Sequence, residues 1–481
     1  MAVSHTYGFG ESPALDRLGQ FVRERQRAWQ SGAPSFEQFE HEVHEHVMAL
    51  EREVLAAELA RYDVAAEQIE VAGVGYQPVW ADTETYLTAA GEVQVHRHLY
   101  RPAGHNTKSL CPLELRVGIV DGYWTPRAAR QGTFVMAQLP PGEAEALFGE
   151  LATMRPSRSS LDRLPRELSG RWEAKRDAWE NALRAQETVP AAAVSAAFSV
   201  DGVMVAMKAK AAQRLVKQSE AGKHASGPAG HQEVGCATVS VYDGDGERLQ
   251  TIRYARMPES KKLTLQAQLQ GEAQAFLATQ PALRRVHLAD GAEGNWKLLA
   301  EVERALDLAP ETWLEIVDFY HACDHLKNGC DAIWGESTPR SQAEFLRLRT
   351  LLKEEDAGAE RIIRTFKHHA GRSRGNRQHR IQAELTYFRN QRPRMAYPAY
   401  LRQNLPIASG VMEAACKTLV TQRLKRSGMA WTRVGGQAIL TFRSLIQSGR
   451  WSRAWNLLAA EYRQTVTVLV ARRYAALPLA A

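Results

Sequence analysis

The succession of apolar and polar segments predicts an α/β protein built around a sheet that mixes antiparallel and parallel strands. Three observations carry that prediction. Between residues 196 and 326 the pattern runs strand, strand, strand, helix, strand, helix, strand. Asp-Gly pairs fall within the first strand (Asp201-Gly202) and at the end of the fourth (Asp290-Gly291). A helical stretch, 337–404, then separates this succession from a capped helix that carries a third acid, Glu413.

Each element has its own reason. AAFSVDGVMVAM (196–207) is a short apolar run between small residues and Lys208, the pattern of a buried strand. HQEVGCATVSVYDGDGERLQTIRYARM (231–257) reads as two strands joined at Asp243-Gly244-Asp245-Gly246, residue types that supply the unusual backbone angles of a hairpin. LTLQAQLQGEAQAFLATQ (263–280) reads as a helix. RRVHLADGAEGNW (284–296) is a strand running into a helix that continues through LLAEVERALD, and WLEIVDFYHACDHL (313–326) is a further strand and helix. Three antiparallel strands followed by strand–helix units fit a ribonuclease H-like core. In that core the first and fourth strands are parallel neighbours, so Asp201 and Asp290 would meet at a topological switch point, where open α/β sheets put their sites.

The 481 residues predict two to four domains, because single cores rarely exceed about 250–300 residues. With 44% hydrophobic and 24% charged residues, the composition is that of a globular protein. No apolar run approaches the roughly 18–20 residues that span a bilayer. The opening MAVSHTYGFGESPALDRL lacks a basic stretch followed by an apolar one, so a cytoplasmic protein is expected. The net charge of +7 favours anionic partners without choosing among them. The five cysteines (Cys111, Cys236, Cys323, Cys330, Cys416) form no Cys-x-x-Cys pair, so neither a disulfide framework nor a zinc ribbon is predicted. Cys323 and Cys330 beside His321 and His325 leave two readings, reduced thiols or a metal site, of which thiols fit better.

The expected organisation is an N-terminal helical region (1–90), a small β-rich module (91–141), a helix-turn-helix with a linker helix (142–195), the first part of the core (196–336), the helical insertion (337–404), and the third-acid helix with C-terminal helices (405–481). FEQFEHEVHEHVMALEREVLAAELARYD has Phe39, Val43, Val47, Leu50, Val54, Leu55 and Leu59 at helical spacing. VQVHRHLYRP (93–102) alternates as a strand does. GEAEALFGELATMRPSRSSLDRLPRELS (142–169) reads as a helix from Glu143 to Leu151 and a second from Ser157 or Ser159. Such a pair suits a helix-turn-helix, with Arg158 and Arg163 facing DNA, although any helical hairpin has the same pattern.

Glu413 lies in PIASGVMEAACKTLVTQRLKRSGMAW (406–431), where Ser409 is the expected N-cap, Gly428 the stop, and about 18 helical residues run between them. Lys417 follows one turn later, and Arg423, Lys425 and Arg426 make the far end basic. Three carboxylates suit hard divalent cations, which prefer oxygen ligands. Two such ions about 3.5–4 Å apart activate an attacking oxygen and stabilise a leaving one in phosphodiester chemistry. The expected cofactor is therefore Mg²⁺ (or Mn²⁺), two ions held by Asp201, Asp290 and Glu413. FKHHAGRSRGNRQHR (366–380) holds Lys367, Arg372, Arg374, Arg377, Arg380 and no acid, a phosphate-tracking pattern or a solvated basic loop.

SVDGVMV (199–205), HLADGAEGNW (287–296), DFYHACDHL (318–326) and SGVMEAACKTLVTQRLKRSGMAW (409–431) together resemble bacterial insertion-sequence transposases of the DDE class, ISKra-type group, related to Mutator-like transposases. The resemblance covers roughly 90–460. It implies that Asp201, Asp290 and Glu413 are the catalytic triad, 89 and 123 residues apart in sequence, with 337–404 as the insertion. It implies that His321, in Asp318-Phe319-Tyr320-His321, lies near the site and that Asp318 orients it; a polar strand end reads equally well. Trp431 either stacks on an unpaired base or fills a core. The segment 96–118 keeps Cys111-Pro112-Leu113 but lacks the Cys pairs of the group, which argues against metal binding there.

The function so implied is metal-dependent cleavage at terminal inverted repeats and strand transfer into target DNA, by a dimer or larger assembly associated with DNA in a bacterial cytoplasm. Two rivals stand beside it: a ribonuclease H-like nuclease that does not transfer strands, and a non-catalytic DNA-binding protein derived from a transposase.

Overall fold

The computed structural model describes residues 12–29, 35–102, 108–208, 230–306 and 313–471. They form two compact units, Met1–Ala174 with Ser452–Ala481, and Lys175–Trp451.

In the first unit, α1 (Pro13–Ala28) and α2 (Phe36–Ala60) start at Ser12 and Ser35, whose hydroxyls accept from Leu15 N and Gln38 N. Helix then gives way to strand earlier than the sequence suggested. β1 (Ala66–Val71) and β2 (Val74–Thr88) both lie in the region expected to be helical to residue 90. Ala72 and Gly73 take φ of 51° and 80°, the two left-handed positions of a tight hairpin, and this turn defines the strands. β3 (Gly91–Pro102) follows, but the rest of 91–141 is helical: α3 (Pro112–Val117) and α4 (Pro126–Gln138). Pro112 and Pro126 open helices here, where a missing N–H costs nothing, and do not break strands. α5 (Pro141–Glu150) and α6 (Arg158–Ala174) are the expected helical pair. The chain returns to this unit through α17 (Trp451–Glu461), and the last element among the described residues is a strand, not a helix. We number that strand β9 (Val466–Ala471) after the core strands; it pairs antiparallel with β1 in the order β3-β2-β1-β9.

The second unit carries the core. α7 (Arg176–Ala185), expected as part of a linker, buries Trp179, Glu180 and Leu183 and belongs to the core. The strands are β4 (Ser195–Ala206), β5 (His231–Tyr242), β6 (Arg248–Arg256), β7 (Arg284–Ala289) and β8 (Trp313–Val317). Their order is β6-β5-β4-β7-β8. β4–β5 and β5–β6 pair antiparallel, while β4–β7 and β7–β8 pair parallel. The first and fourth strands are thus parallel neighbours. α8 (Leu263–Thr279), α9 (Glu293–Arg304) and α10 (Phe319–Trp334) connect or follow them. The stretch after α10 is helical: α11 (Pro339–Glu354), α12 (Gly358–Gly371), α13 (Gly375–Gln391) and α14 (Tyr397–Leu401).

One core side chain is electrostatically uncomfortable. His287 on β7 is fully buried, 4.3 Å from the Trp313 ring, and neither ring nitrogen has a hydrogen-bond partner among the described residues. Glu303 is 3.9 Å away, too far for a hydrogen bond. Burial pushes the His287 pKa down to about 3, so the ring is neutral and no ion pair forms. An unfolded histidine titrates near 6.5. Between pH 6.5 and 3 the unfolded chain therefore binds the extra proton, and stability falls with pH by up to about 1.4 kcal/mol per unit. His287→Leu is expected to remove that slope and to add about 1–3 kcal/mol by deleting unpaired polar atoms. Denaturant titrations at pH 7.5 and 5.0 measure both; an unaltered slope in the variant would show that His287 is not its source.

Candidate active site

Parallel pairing of β4 with β7 brings two carboxylates into each other's field. Asp201 lies on β4, opposite Cys236 of β5. Its Oδ1 accepts from Gly202 N at 2.7 Å, and its Oδ2 accepts from the Cys416 thiol at 3.6 Å. Burial, helped by the negative charge of Asp290 and opposed by the Gly202 bond, raises the Asp201 pKa. Asp290 follows the last residue of β7. Its Oδ1 accepts from Ala292 N at 3.0 Å and from Asn295 Nδ2 at 3.1 Å. Gly291 is required twice over. Its φ is +95°, and a Cβ there would stand 3.1 Å from the Tyr387 ring of α13.

Three segments of the site are tied together at the start of α10. Asp318 is 1% exposed and caps this helix, accepting from His321 N at 2.6 Å. Its other oxygen accepts from Ser409 N. Its own N–H donates to Ala289 O at 2.8 Å, and Phe319 N donates to Ile407 O at 2.9 Å. One residue therefore fixes the backbone before Asp290 and the backbone entering the Glu413 helix. Asp318 bonds the backbone of His321, not its ring, so it orients helices and not the imidazole. The His321 ring lies 5.0 Å from His325 and 6.2 Å from Tyr387. His325 stacks on Tyr387 at 3.6 Å and meets Glu384 at 2.6 Å. Cys323 and Cys330 lie in the apolar core.

The third-acid helix, α15, is α-helical over Gly410–Ala415, π-helical over Cys416–Thr421, and α-helical again over Gln422–Leu424. It is shorter than expected. The Ser409 hydroxyl makes no capping bond; the Asp318 carboxylate takes the Ser409 N–H instead. Widening a helix frees carbonyls, and the buried Arg443 takes up Leu419 O at 3.0 Å and Thr418 O. Met412, Ala415, Cys416, Leu419 and Val420 pack with Val205 and Cys236. Glu413 lies three residues before Cys416, on the same helix face, and is exposed. Its carboxylate makes no hydrogen bond or ion pair among the described residues. No three Asp, Glu, His or Cys side chains among the described residues are gathered closely enough to hold a metal ion. Asp290 lies within electrostatic reach of Asp201, and Glu413 forms no metal-holding group with them among the described residues.

The basic residues divide into committed and uncommitted. Arg377 donates to Ala332 O at 3.2 Å and to Ile333 O, satisfying the C-terminal carbonyls of α10. Arg423 is 1% exposed and lies 5.4 Å over Trp431, whose Nε1 donates to Leu424 O at 2.9 Å. Arg426 Nε bonds Gln422 O at 3.2 Å, and Arg163 faces Asp121 at 3.6 Å. Lys367, Arg372, Arg374, Arg380, Lys417, Lys425 and Arg158 are exposed. Their side chains make no ion pair among the described residues.

Sequence reasoning missed Asn295, Cys416 and Tyr387. Asn295 sits five residues after Asp290 on a predicted helix, a spacing that could have marked it. Cys416 and Tyr387 reach the site only through tertiary packing.

No family model and no curated protein matches the chain. Among solved structures it is similar to the Drosophila P element transposase strand transfer complex, with 11% sequence identity, 72% of this chain and 82% of that chain covered, and a TM-score of 0.26. No helix among the described residues is long and apolar enough to cross a membrane.

Proposed function

We propose that this chain is a DNA transposase with a ribonuclease H-like core and Asp201, Asp290 and Glu413 as its DDE residues, of the ISKra type that its motifs resemble. The observation that carries the reading is the carboxylate pair on the parallel neighbours β4 and β7, with Asp318 bonding both the backbone before Asp290 and the entry to the Glu413 helix. The donor chemistry fits a hard cation: two oxygen ligands that repel each other when both are charged. Asp201 and Asp290 would hold it, with Glu413 as the third carboxylate. Divalent ions, when bound, supply activation of the attacking oxygen and charge stabilisation of the leaving one.

The protein's own part is positioning. Asn295 and Ala292 N–H occupy one oxygen of Asp290 and leave the other uncommitted among the described residues. The protonated Cys416 thiol holds one oxygen of Asp201. The exposed cations Lys367, Arg372, Arg374, Arg380, Lys417, Lys425 and Arg158 track DNA phosphates, which carry position but no sequence information. Arg163, Arg377, Arg423, Arg426 and Trp431 are engaged within the fold and serve it first. Joining two repeat ends in concert calls for a dimer or larger assembly.

The test incubates the protein with a labelled duplex ending in the inverted repeat that flanks its gene, with Mg²⁺, Mn²⁺ or EDTA. Divalent-dependent release of a 3′-hydroxyl and joining of that end to a second duplex are expected. Cleavage without joining would make the protein a nuclease; binding without cleavage would make it a non-catalytic DNA-binding protein.

A further inference from the structure

A second feature lies two hydrogen bonds from Asp290, on Glu233, Lys262 and Arg433, which the catalytic reading does not use. Gly202 and Gly235 face each other across β4 and β5. A Cβ on Gly202 would stand 1.8 Å from Glu233 Oε1, and one on Gly235 would stand 3.5 Å from Lys262 Cδ. The paired glycines thus leave a shallow bed on which the Glu233 and Lys262 side chains lie. Lys262 Nζ donates to Glu233 Oε1 at 3.0 Å and reaches Asn295 Oδ1 at 3.5 Å. Asn295 in turn donates to Asp290.

The backbone there is unusual. Lys261 and Lys262 are consecutive residues with φ of 52° and 53°, in the left-handed region that non-glycine residues avoid. Two strained residues in succession persist only when the surroundings hold them, and such strain gathers at functional sites. Here Lys262 lines a cavity of about 270 Å³ together with Arg256, Glu259 and Arg433 among others. Arg433 opens the 15-residue helix α16 (Arg433–Gln447), which Thr432 caps by accepting from Gly435 N and whose dipole adds positive potential at this end. The two acids of the lining are engaged, Glu233 with Lys262 and Glu259 with Leu265 N at 3.1 Å.

We propose that this cavity is a phosphate-binding subsite that takes a backbone phosphodiester of the DNA strand running past the carboxylate pair, held by Lys262 and Arg433. The subsite rests on the transposase reading above. Phosphate entering displaces Glu233 from Lys262, so the ion pair keeps the lysine in place until DNA arrives. Lys262 then anchors the strand at a fixed distance from Asp290, through Asn295.

The full chain is titrated against a fluorescent duplex in EDTA over a salt series, and separately against pyrophosphate by thermal shift. Lys262→Gln and Arg433→Gln are each expected to reduce the slope of log affinity against log salt by about 0.9, one phosphate contact apiece. Because Lys262→Gln leaves Glu233 unpaired, Glu233→Gln/Lys262→Gln is measured beside it and is expected to show the same loss. Pyrophosphate is expected to raise the melting temperature of the wild type but not of these variants. Folded variants with the wild-type salt slope would overturn the subsite. If the wild type binds no DNA, the transposase reading falls while the pyrophosphate arm still decides the cavity: equal shifts in wild type and variants overturn it, and a shift lost in the variants upholds it for a different phosphate ligand.

Discussion

An Asp290→Asn protein is expected to bind repeat-ended DNA as tightly as the wild type and to cleave it at least a hundredfold more slowly, about 3 kcal/mol of lost transition-state stabilisation. Asn keeps the size of Asp, and its Oδ1 can still accept from Ala292 N and Asn295 Nδ2, so the turn after β7 survives. What it loses is the negative charge that Asp201 feels. Removing a like charge relieves the pair, so the variant should be at least as stable as the wild type. Loss of activity could not then be assigned to unfolding. A gel assay of cleavage rates with Mg²⁺, beside anisotropy for binding, separates chemistry from affinity. Wild-type cleavage by the variant would remove Asp290 from the site. Glu413→Gln in the same assay bears on the third carboxylate, which is exposed and forms no metal-holding group with the other two among the described residues; full activity there would mean a site of two acids, not three.

The strand order of the core was legible because β4 to β8 announce themselves locally. Asp243 and its neighbours mark the β5–β6 turn, where Asp243 Oδ1 accepts from Asp245 N and Glu247 N. Asp201 and Asp290 could be singled out because one Asp-Gly lies within β4 and another directly after β7. The N-terminal unit was harder to read. Its sheet is closed by β9, almost 400 residues from β1, and no local window contains both. Arg377 and Arg423 looked like DNA ligands because charge pattern cannot distinguish a solvent-facing arginine from one that caps a helix or lies over Trp431. The Asp318 node was invisible for a related reason. An aspartate before a helix predicts a cap, but nothing in the sequence says that its second oxygen takes the N–H of Ser409, 91 residues on.

Glu272→Ala is expected to destabilise the Lys175–Trp451 unit by about 3–5 kcal/mol, the cost of taking a buried acid away from the buried Arg450 and Arg184. Glu272 is 1% exposed on α8, and Arg450 is 2% exposed. Arg450 grips both its oxygens, at 2.7 and 2.9 Å, while Arg184 Nε adds a third bond at 3.0 Å and Tyr254 OH a fourth. Burial alone would raise the Glu272 pKa; the guanidiniums of Arg450 and Arg184 overcome it and hold it below its ordinary value. The sign follows. A carboxyl with a depressed folded pKa contributes its stability above the unfolded value, near 4.3, and loses it as pH falls through the folded one. The acid limb of the stability curve should therefore flatten in the variant. Glu180, bonded to Arg184 at 3.1 Å, moves the other way, since burial raises its pKa, and it offsets part of that limb. A double replacement, Glu272→Leu with Arg450→Met, is expected to regain part of the loss, because Arg184 keeps Glu180, whereas Glu187 loses Arg450 and keeps its bond from Gln250. Denaturant midpoints for the single and double variants at pH 7.5 and 4.0 decide it. A single variant within about 1 kcal/mol of the wild type would mean that water reaches the network and screens it.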